Sequence, residues 1–281
     1  MDFAMGWSQF NLTLLGVWPE PRLISHRKRR ISSFVFWFTS IVSFMFICAP
    51  QTARLVLKST NLDEVIENLS INVPIAFALT KQLVLRYHKK ALTFLLGQIL
   101  EDWSRPLPEA YRQTMLKSAR RSRMISIACT TLAWIMLLAF LTLQVWNNMQ
   151  NSSEADLEGF LHPATFPYNT KKSPNFELTW LGQFIGTVLA AIGYSCFDTF
   201  LAVLVLHLCG QLSVLRLAVT NLVNTSNETN FMEFKGRLGY IVYRHNQLYR
   251  SAPIIYAGIN TFAIGKLFAF LTTIAGGNQG N

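Results

Sequence analysis

The 281 residues are 51% hydrophobic and only 14% charged, and the mean hydropathy is +0.28. A soluble domain carries about 25% charged residues, so this composition excludes an ordinary soluble protein and is typical of a chain that crosses a membrane. The net charge of +10 does not indicate a nucleic-acid-binding domain, because the basic residues lie between apolar runs and not on one face of a polar fold.

Five apolar segments are long enough to cross about 30 Å of hydrocarbon as helices. In chain order they are residues 31–50, 69–87, 124–146, 180–207 and 252–275. The second is less apolar than the others because it contains Pro74 and Lys81. We therefore predict an all-α fold, a multi-pass transmembrane helical bundle with cytoplasmic helix extensions.

The distribution of Lys and Arg predicts the orientation of these spans. With Lys and Arg counted as +1 and Asp and Glu as −1, residues 1–30, 86–123 and 208–250 sum to +12, whereas residues 51–69 and 147–179 sum to −3. Basic segments remain on the cytoplasmic side of a membrane. The predicted cytoplasmic segments, which include the amino terminus, are residues 1–30, 88–123 and 208–250. The predicted extracellular segments are residues 51–68, 147–179 and 276–281.

The fourth span is predicted to continue well beyond the membrane. A helix from Trp180 to Val223 would be about 65 Å long at 1.5 Å per residue, about twice the thickness of the hydrocarbon core. Asp198 lies about 27 Å along it, near the inner membrane edge, where a carboxylate is less costly than at the centre. It is either a gating or ion-path residue or the partner of a base on another helix, for which the candidates are Lys81, Arg86 and Lys89.

Small residues recur at steps of four in the first part of this helix. Gly182, Gly186 and Ala190 therefore share one face and allow another helix to approach closely. We interpret the face as a packing surface; the alternative is that the space it leaves belongs to a ligand cavity.

The outer halves of the second, third and fourth spans carry apolar side chains with few polar groups. Such a lining suits a small apolar ligand, although helix packing or lipid contact remains the alternative for each residue. The candidate ligand-binding residues are Phe77, Met136, Phe140, Gln144, Phe184 and Val188.

Other functional signatures are few. Asn68 and Asn151 begin glycosylation sequons on segments predicted to be extracellular. The sequence contains no HExxH, no GxSxG and no phosphate-binding glycine loop, and its four cysteines lack metal-ligand spacing. We therefore predict no enzymatic activity, no catalytic residue, no metal site and no cofactor.

The most distinctive motif lies in residues 166–222. Its marker residues are Ser173-Pro174, Glu177-Leu178-Thr179, Gly182-Gln183, Asp198, His207 and Cys209-Gly210-Gln211-Leu212. This pattern resembles the fourth-helix region of the insect odorant receptor family. Two looser similarities to the same family are "NLTLLGVWPEP" at 11–21 and "RHNQLYRSA" at 244–252.

The resemblance implies a subunit of an odorant-gated cation channel, which in this family has seven membrane helices and a cytoplasmic amino terminus. It also implies a small volatile ligand, contact with membrane lipid, and a heterotetramer with an odorant co-receptor subunit in the plasma membrane of an olfactory sensory neuron. Because only five spans are found, we expect this form to lack the last two helices and to be non-conducting alone. The alternatives are a gustatory-receptor relative and a non-signalling membrane interaction protein that sequesters partner subunits.

Overall fold

A computed structural model describes residues 2–19, 25–58, 61–150, 159–225 and 231–277. This part of the chain contains only helices, turns and loops, as predicted for an all-α protein. The helices are α1 (Asp2–Leu14), α2 (His26–Ser43), α3 (Ala49–Leu57), α4 (Leu62–Tyr87), α5 (Lys89–Ser104), α6 (Glu109–Gln150), α7 (Asn175–Asn224) and α8 (Phe231–Gly277). A five-residue π-helical turn, Phe44–Cys48, joins α2 to α3.

The 50-residue helix α7 is the centre of the bundle. Half of its most apolar 18-residue stretch is buried, compared with 17% of the most apolar stretch of α6. Helices α1, α2, α4, α6 and α8 all pack against α7. The large exposed apolar residues of α6, such as Leu132, Ile135 and Leu138, therefore form a surface suited to lipid.

The two ends of the bundle differ in chemistry, and we name them for their residues. The loop end is where residues 159–174 lie against the start of α7. The basic end, opposite, contains α5 and the Arg-rich first turns of α6, where Tyr111 bonds to Asn221 near the end of α7. Because α6 begins at the basic end and reaches the loop end, it runs antiparallel to α7.

The first helical segment continues past its proline. Pro50 has no amide hydrogen, and the π-helical turn Phe44–Cys48 immediately precedes it, with the amide of Ala49 bonded to the carbonyl of Phe44. The carbonyl of Pro50 accepts a hydrogen bond from the amide of Thr165 at 3.0 Å. This bond holds the first turn of α3 against the loop that precedes α7.

Each of the five predicted spans is helical in the structure, although the helices extend beyond the predicted bounds. Three helical segments are long and apolar enough to cross a membrane by length and composition: His26–Leu57, Glu109–Trp146 and Asn175–Asn224. Helix α4 includes the polar residues Asn72, Lys81 and Gln82, which lower its hydropathy. The segment predicted to be cytoplasmic at 88–123 is also largely helical: α5 covers Lys89–Ser104, and α6 continues without a break from Glu109.

Candidate ligand cavity and buried ion pairs

A cavity of about 360 Å³ lies between α4, α6 and α7 at the loop end, and we call it the loop-end cavity. Its volume is within the range of small-molecule sites. The walls are mostly hydrocarbon, and Met136 remains 66% exposed where the cavity opens sideways. The lining residues are Ser70, Ile71, Pro74, Ile75, Ala133, Met136, Leu137, Phe140, His162, Thr187, Ala190, Ala191, Tyr194 and Ser195.

Two of the six candidate ligand residues, Met136 and Phe140, line this cavity. They lie one turn apart on α6, on the side that faces α4 and α7. Residues of the third and fourth predicted spans thus form two walls of the cavity, and residues 70–75 of α4 form another.

The other four candidates lie outside the lining. Val188 is about 100° around α7 from the lining residue Thr187 and packs against the hydrophobic core. The Phe184 ring stacks on the Trp180 ring, with a centroid distance of 5.6 Å. Phe77 and Gln144 are half-buried on α4 and α6. The sequence analysis thus named the three helices that form this cavity, but it did not fix which face of each helix lines it.

His162 is a lining residue that sequence reasoning missed. Its side chain is 1% exposed, its ring stacks on Phe140 at 5.5 Å, and its Nε2 lies 2.8 Å from Thr187 Oγ1. The Gln183 side chain bonds to both the amide and the carbonyl of His162, at 3.2 Å each. Burial lowers the pKa of His162 from 6.5 to about 4, so the imidazole is neutral at physiological pH. Gln183 belongs to the motif found in the sequence, but its partner lies 21 residues earlier in a loop.

Asp198 forms an ion pair with Lys81 across α4 and α7. Lys81 Nζ lies 2.7 Å from Asp198 Oδ1, and the exposed fractions of the two side chains are 1% and 20%. The same ammonium lies 3.8 Å from the centroid of the Tyr194 ring. Of the three bases considered as partners, Lys81 is the one that the structure places at Asp198. Arg86 instead donates to Ser33 Oγ at 2.7 Å.

Gly182 and Gly186 lie where α7 meets the π-helical turn. A Cβ atom at Gly182 would collide with the ring of Phe46, and one at Gly186 would lie 2.9 Å from Ile47 Cδ1. The absence of side chains therefore permits the close helix approach predicted for this face. Ala190, on the same face, is a lining residue of the loop-end cavity, so packing and cavity formation meet there.

A second buried cluster ties together α5, α7 and α8 at the basic end. Asp102 Oδ1 accepts from Arg244 at 2.7 Å, and Asp102 Oδ2 lies 3.3 Å from His207 Nε2. Arg244 also donates to Gln211 Oε1 at 2.9 Å. His207 and Gln211 are part of the sequence motif, but the sequence did not indicate that Asp102 and Arg244 would meet them. We call these four residues the basic-end cluster.

Two further cavities lie towards the basic end. One, of about 350 Å³, is apolar and lies between α4, α5, α7 and α8, where Leu92, Leu204 and Pro253 contribute to its walls. The other, of about 550 Å³, borders the basic-end cluster and includes Arg105 and Tyr111. No group of three or more His, Cys, Asp or Glu residues suited to a metal occurs in the described ranges.

Asn68 is buried in α4, although its sequon predicted glycosylation. The residue is 6% exposed, and its Nδ2 donates to the carbonyl of Gln51 at 3.1 Å. A glycan is attached through that nitrogen, and this arrangement leaves no space for one. Asn151 lies outside the described residues.

Comparisons with known proteins agree with this architecture. The family model of the 7tm odorant receptors matches residues 61–274. The insect olfactory receptor OR5 from Machilis hrabei has a similar structure, with a TM-score of 0.77 at 15% sequence identity over 97% of this chain and 71% of that one. OR5 in complex with eugenol gives a TM-score of 0.73 at 16% identity over 98% and 70% of the two chains. No curated protein sequence matches the chain significantly.

The structural similarity to the solved receptors, at 15% and 16% sequence identity, shows the fold alone, and the family match shows the relationship. The family model covers more than half of the chain, including α4 to α8 and both buried ion-pair clusters. This chain belongs to the 7tm odorant receptor family.

Proposed function

We propose that this chain is an odorant receptor subunit that binds small, volatile, mainly apolar molecules in the loop-end cavity. The observation that carries the proposal is a largely hydrocarbon cavity of about 360 Å³ between three long helices, with Met136 and Phe140 in its wall. A cavity of this size and lining favours compact apolar ligands. Its sideways opening offers a route to molecules that dissolve in the bilayer. The similar OR5 structure contains eugenol, which supports a ligand of this class.

The subunit functions as part of a ligand-gated cation channel with a co-receptor subunit in the plasma membrane of an olfactory neuron. Ligand binding would shift the channel towards its open form only if the ligand has higher affinity for that form. The loop end is extracellular and the basic end cytoplasmic, an orientation supported by the +12 charge of the basic segments. The basic-end cluster holds the cytoplasmic helices in the arrangement that assembles with partner subunits.

Filling the cavity tests the proposal. Ala133 is half-buried and lines the cavity, so Ala133→Trp places an indole inside it. Leu132 is 61% exposed on the neighbouring face of α6, so Leu132→Trp is the matched control. We expect the purified chain in nanodiscs to bind 4-ethyltoluene, Ala133→Trp to weaken binding at least about tenfold, and Leu132→Trp to leave it unchanged. Equal binding by both variants would remove the ligand from this cavity.

A further inference from the structure

Three hydroxyl groups in the wall of the loop-end cavity, those of Ser70, Thr187 and Ser195, donate to carbonyl groups of their own helices. Ser70 Oγ donates to the carbonyl of Ile66 at 2.7 Å, and Ser195 Oγ donates to that of Ile192 at 3.3 Å. Thr187 Oγ1 donates to the carbonyl of Gln183 at 2.7 Å. These three side chains therefore offer a ligand only lone pairs, as a hydroxyl bonded to its own helix does.

The proton of Thr187 also determines the tautomer of His162. Thr187 Oγ1 lies 2.7 Å from the carbonyl of Gln183 and 2.8 Å from His162 Nε2, and both contacts are hydrogen bonds only when Thr187 donates to the carbonyl and accepts from Nε2. Nε2 therefore carries the imidazole hydrogen. In the neutral ring the other nitrogen, Nδ1, then has a lone pair and is an acceptor.

His162 Nδ1 has no hydrogen-bond partner among the described residues, although the side chain is 1% exposed. A buried acceptor without a donor is unfavourable, and such groups usually have a protein or solvent partner. The ring cannot easily turn to find one, since Phe140 stacks on its face and Gln183 holds its main chain. The described residues therefore supply no donor to this nitrogen, and a ligand in the cavity would supply one.

We propose that the loop-end cavity selects small apolar molecules carrying one hydrogen-bond donor, alcohols or phenols, and that His162 Nδ1 accepts this hydrogen. The inference rests on the proposed function and adds the ligand class. Ethers and ketones of the same size carry only acceptors, which would face the lone pairs of Ser70, Thr187 and His162. Hydrocarbons fit the apolar walls but leave Nδ1 without a partner.

Three para-substituted ethylbenzenes separate these cases. They are 4-ethylphenol, which has a donor, 1-ethyl-4-methoxybenzene, which has only an acceptor, and 4-ethyltoluene, which has neither. Binding is measured by thermal shift or tryptophan fluorescence on the full chain in nanodiscs. His162→Phe retains an aromatic ring against Phe140 and removes the acceptor. His245→Phe, at an exposed site on α8 near the basic end, is the control for the substitution itself.

Comparison of variants in identical nanodiscs cancels the different partitioning of the probes into lipid. We expect His162→Phe to weaken 4-ethylphenol binding at least about fivefold relative to its effect on the other probes, the size of one neutral hydrogen bond. Thr187→Val removes the hydrogen-bond partner that fixes the tautomer of His162, and we expect it to reduce the preference for 4-ethylphenol over the other two probes. His245→Phe should change no affinity ratio.

The outcomes distinguish this inference from the proposed function. If all three probes bind and His162→Phe weakens them equally or not at all, the donor preference is wrong, while the ligand cavity stands. If His162→Phe does not fold, an unchanged preference in Thr187→Val has the same meaning. If none of the probes binds the unmodified chain, both the cavity assignment and the inference fail.

Discussion

Replacing Asp198 with Leu removes the counter-charge of Lys81, whose side chain is 1% exposed. Removing one partner of a buried ion pair costs about 3–5 kcal/mol, because the other charge stays buried. Two features favour the lower end of this range. Asp198 itself is 20% exposed, and the Tyr194 ring, 3.8 Å from Lys81 Nζ, retains a cation–π attraction. We expect a loss of about 3 kcal/mol, a decrease in melting temperature of about 6–12 °C for a chain of this size.

The assay is a double-mutant cycle on the purified protein, with thermal unfolding followed by circular dichroism. Lys81→Met should cost less than Asp198→Leu, since the remaining carboxylate is partly exposed and can be hydrated. The double variant, Lys81→Met with Asp198→Leu, should be more stable than Asp198→Leu because it leaves no unpaired charge. The ratios of affinity among ligands should stay constant in all three variants. If the double variant is no more stable than Asp198→Leu, the ion pair does not couple α4 to α7.

Two further predictions concern the basic-end cluster and the loop end. Arg244→Met should speed amide hydrogen exchange in residues 240–250, because Asp102, which is 6% exposed, loses its nearest base. The control, Arg237→Met, breaks an exposed pair with Glu233 and should lower stability by less than about 1 kcal/mol. Equal exchange in the two variants would contradict this prediction. His162 is neutral in the fold and the unfolded chain binds its proton below pH 6.5, so stability should fall as the pH drops from 6.5 to about 4. The free energy of unfolding should decrease by about 3 kcal/mol over this pH range. His162→Phe should abolish this part of the pH dependence of thermal unfolding, and an identical pH profile in the variant would refute it.

The sequence predicted the long helices well because each combines a sustained apolar run with polar or basic ends. The fourth helix was expected over 180–223 and occupies Asn175–Asn224. The helix begins directly after Pro174, its N-cap residue, which lacks an amide hydrogen and cannot continue the helix towards the N-terminus. By contrast, the π-helical turn before Pro50 has no sequence signature beyond the proline itself.

Contacts between distant parts of the chain were much harder to predict. Lys81 and Asp198 are 117 residues apart, and depth alone left three bases as possible partners. The choice depends on the rotation of α4 about its axis, which apolar periodicity does not fix in a membrane because lipid-facing and core-facing residues are both apolar. The same ambiguity explains why Phe184 and Val188 were assigned to the cavity, whereas Thr187, which lines it, was not.

His162 and the basic-end cluster left a weak signal that could have been used. Gln183, His207 and Gln211 are polar residues inside an otherwise apolar helix, and each must have a partner once buried. The sequence identified these positions through their motif, but their partners lie in a loop, on α5 and on α8. Only the folded arrangement brings them together.

The most direct test of the account is photolabelling with a diazirine derivative of 4-ethyltoluene, followed by mass spectrometry of the purified chain in nanodiscs. Ligand binding at the loop end predicts labelling of residues 133–140 and 187–195, reduced by an excess of unmodified 4-ethyltoluene. Competed labelling confined to residues 84–92 and 253–258, which border the apolar cavity towards the basic end, would contradict it.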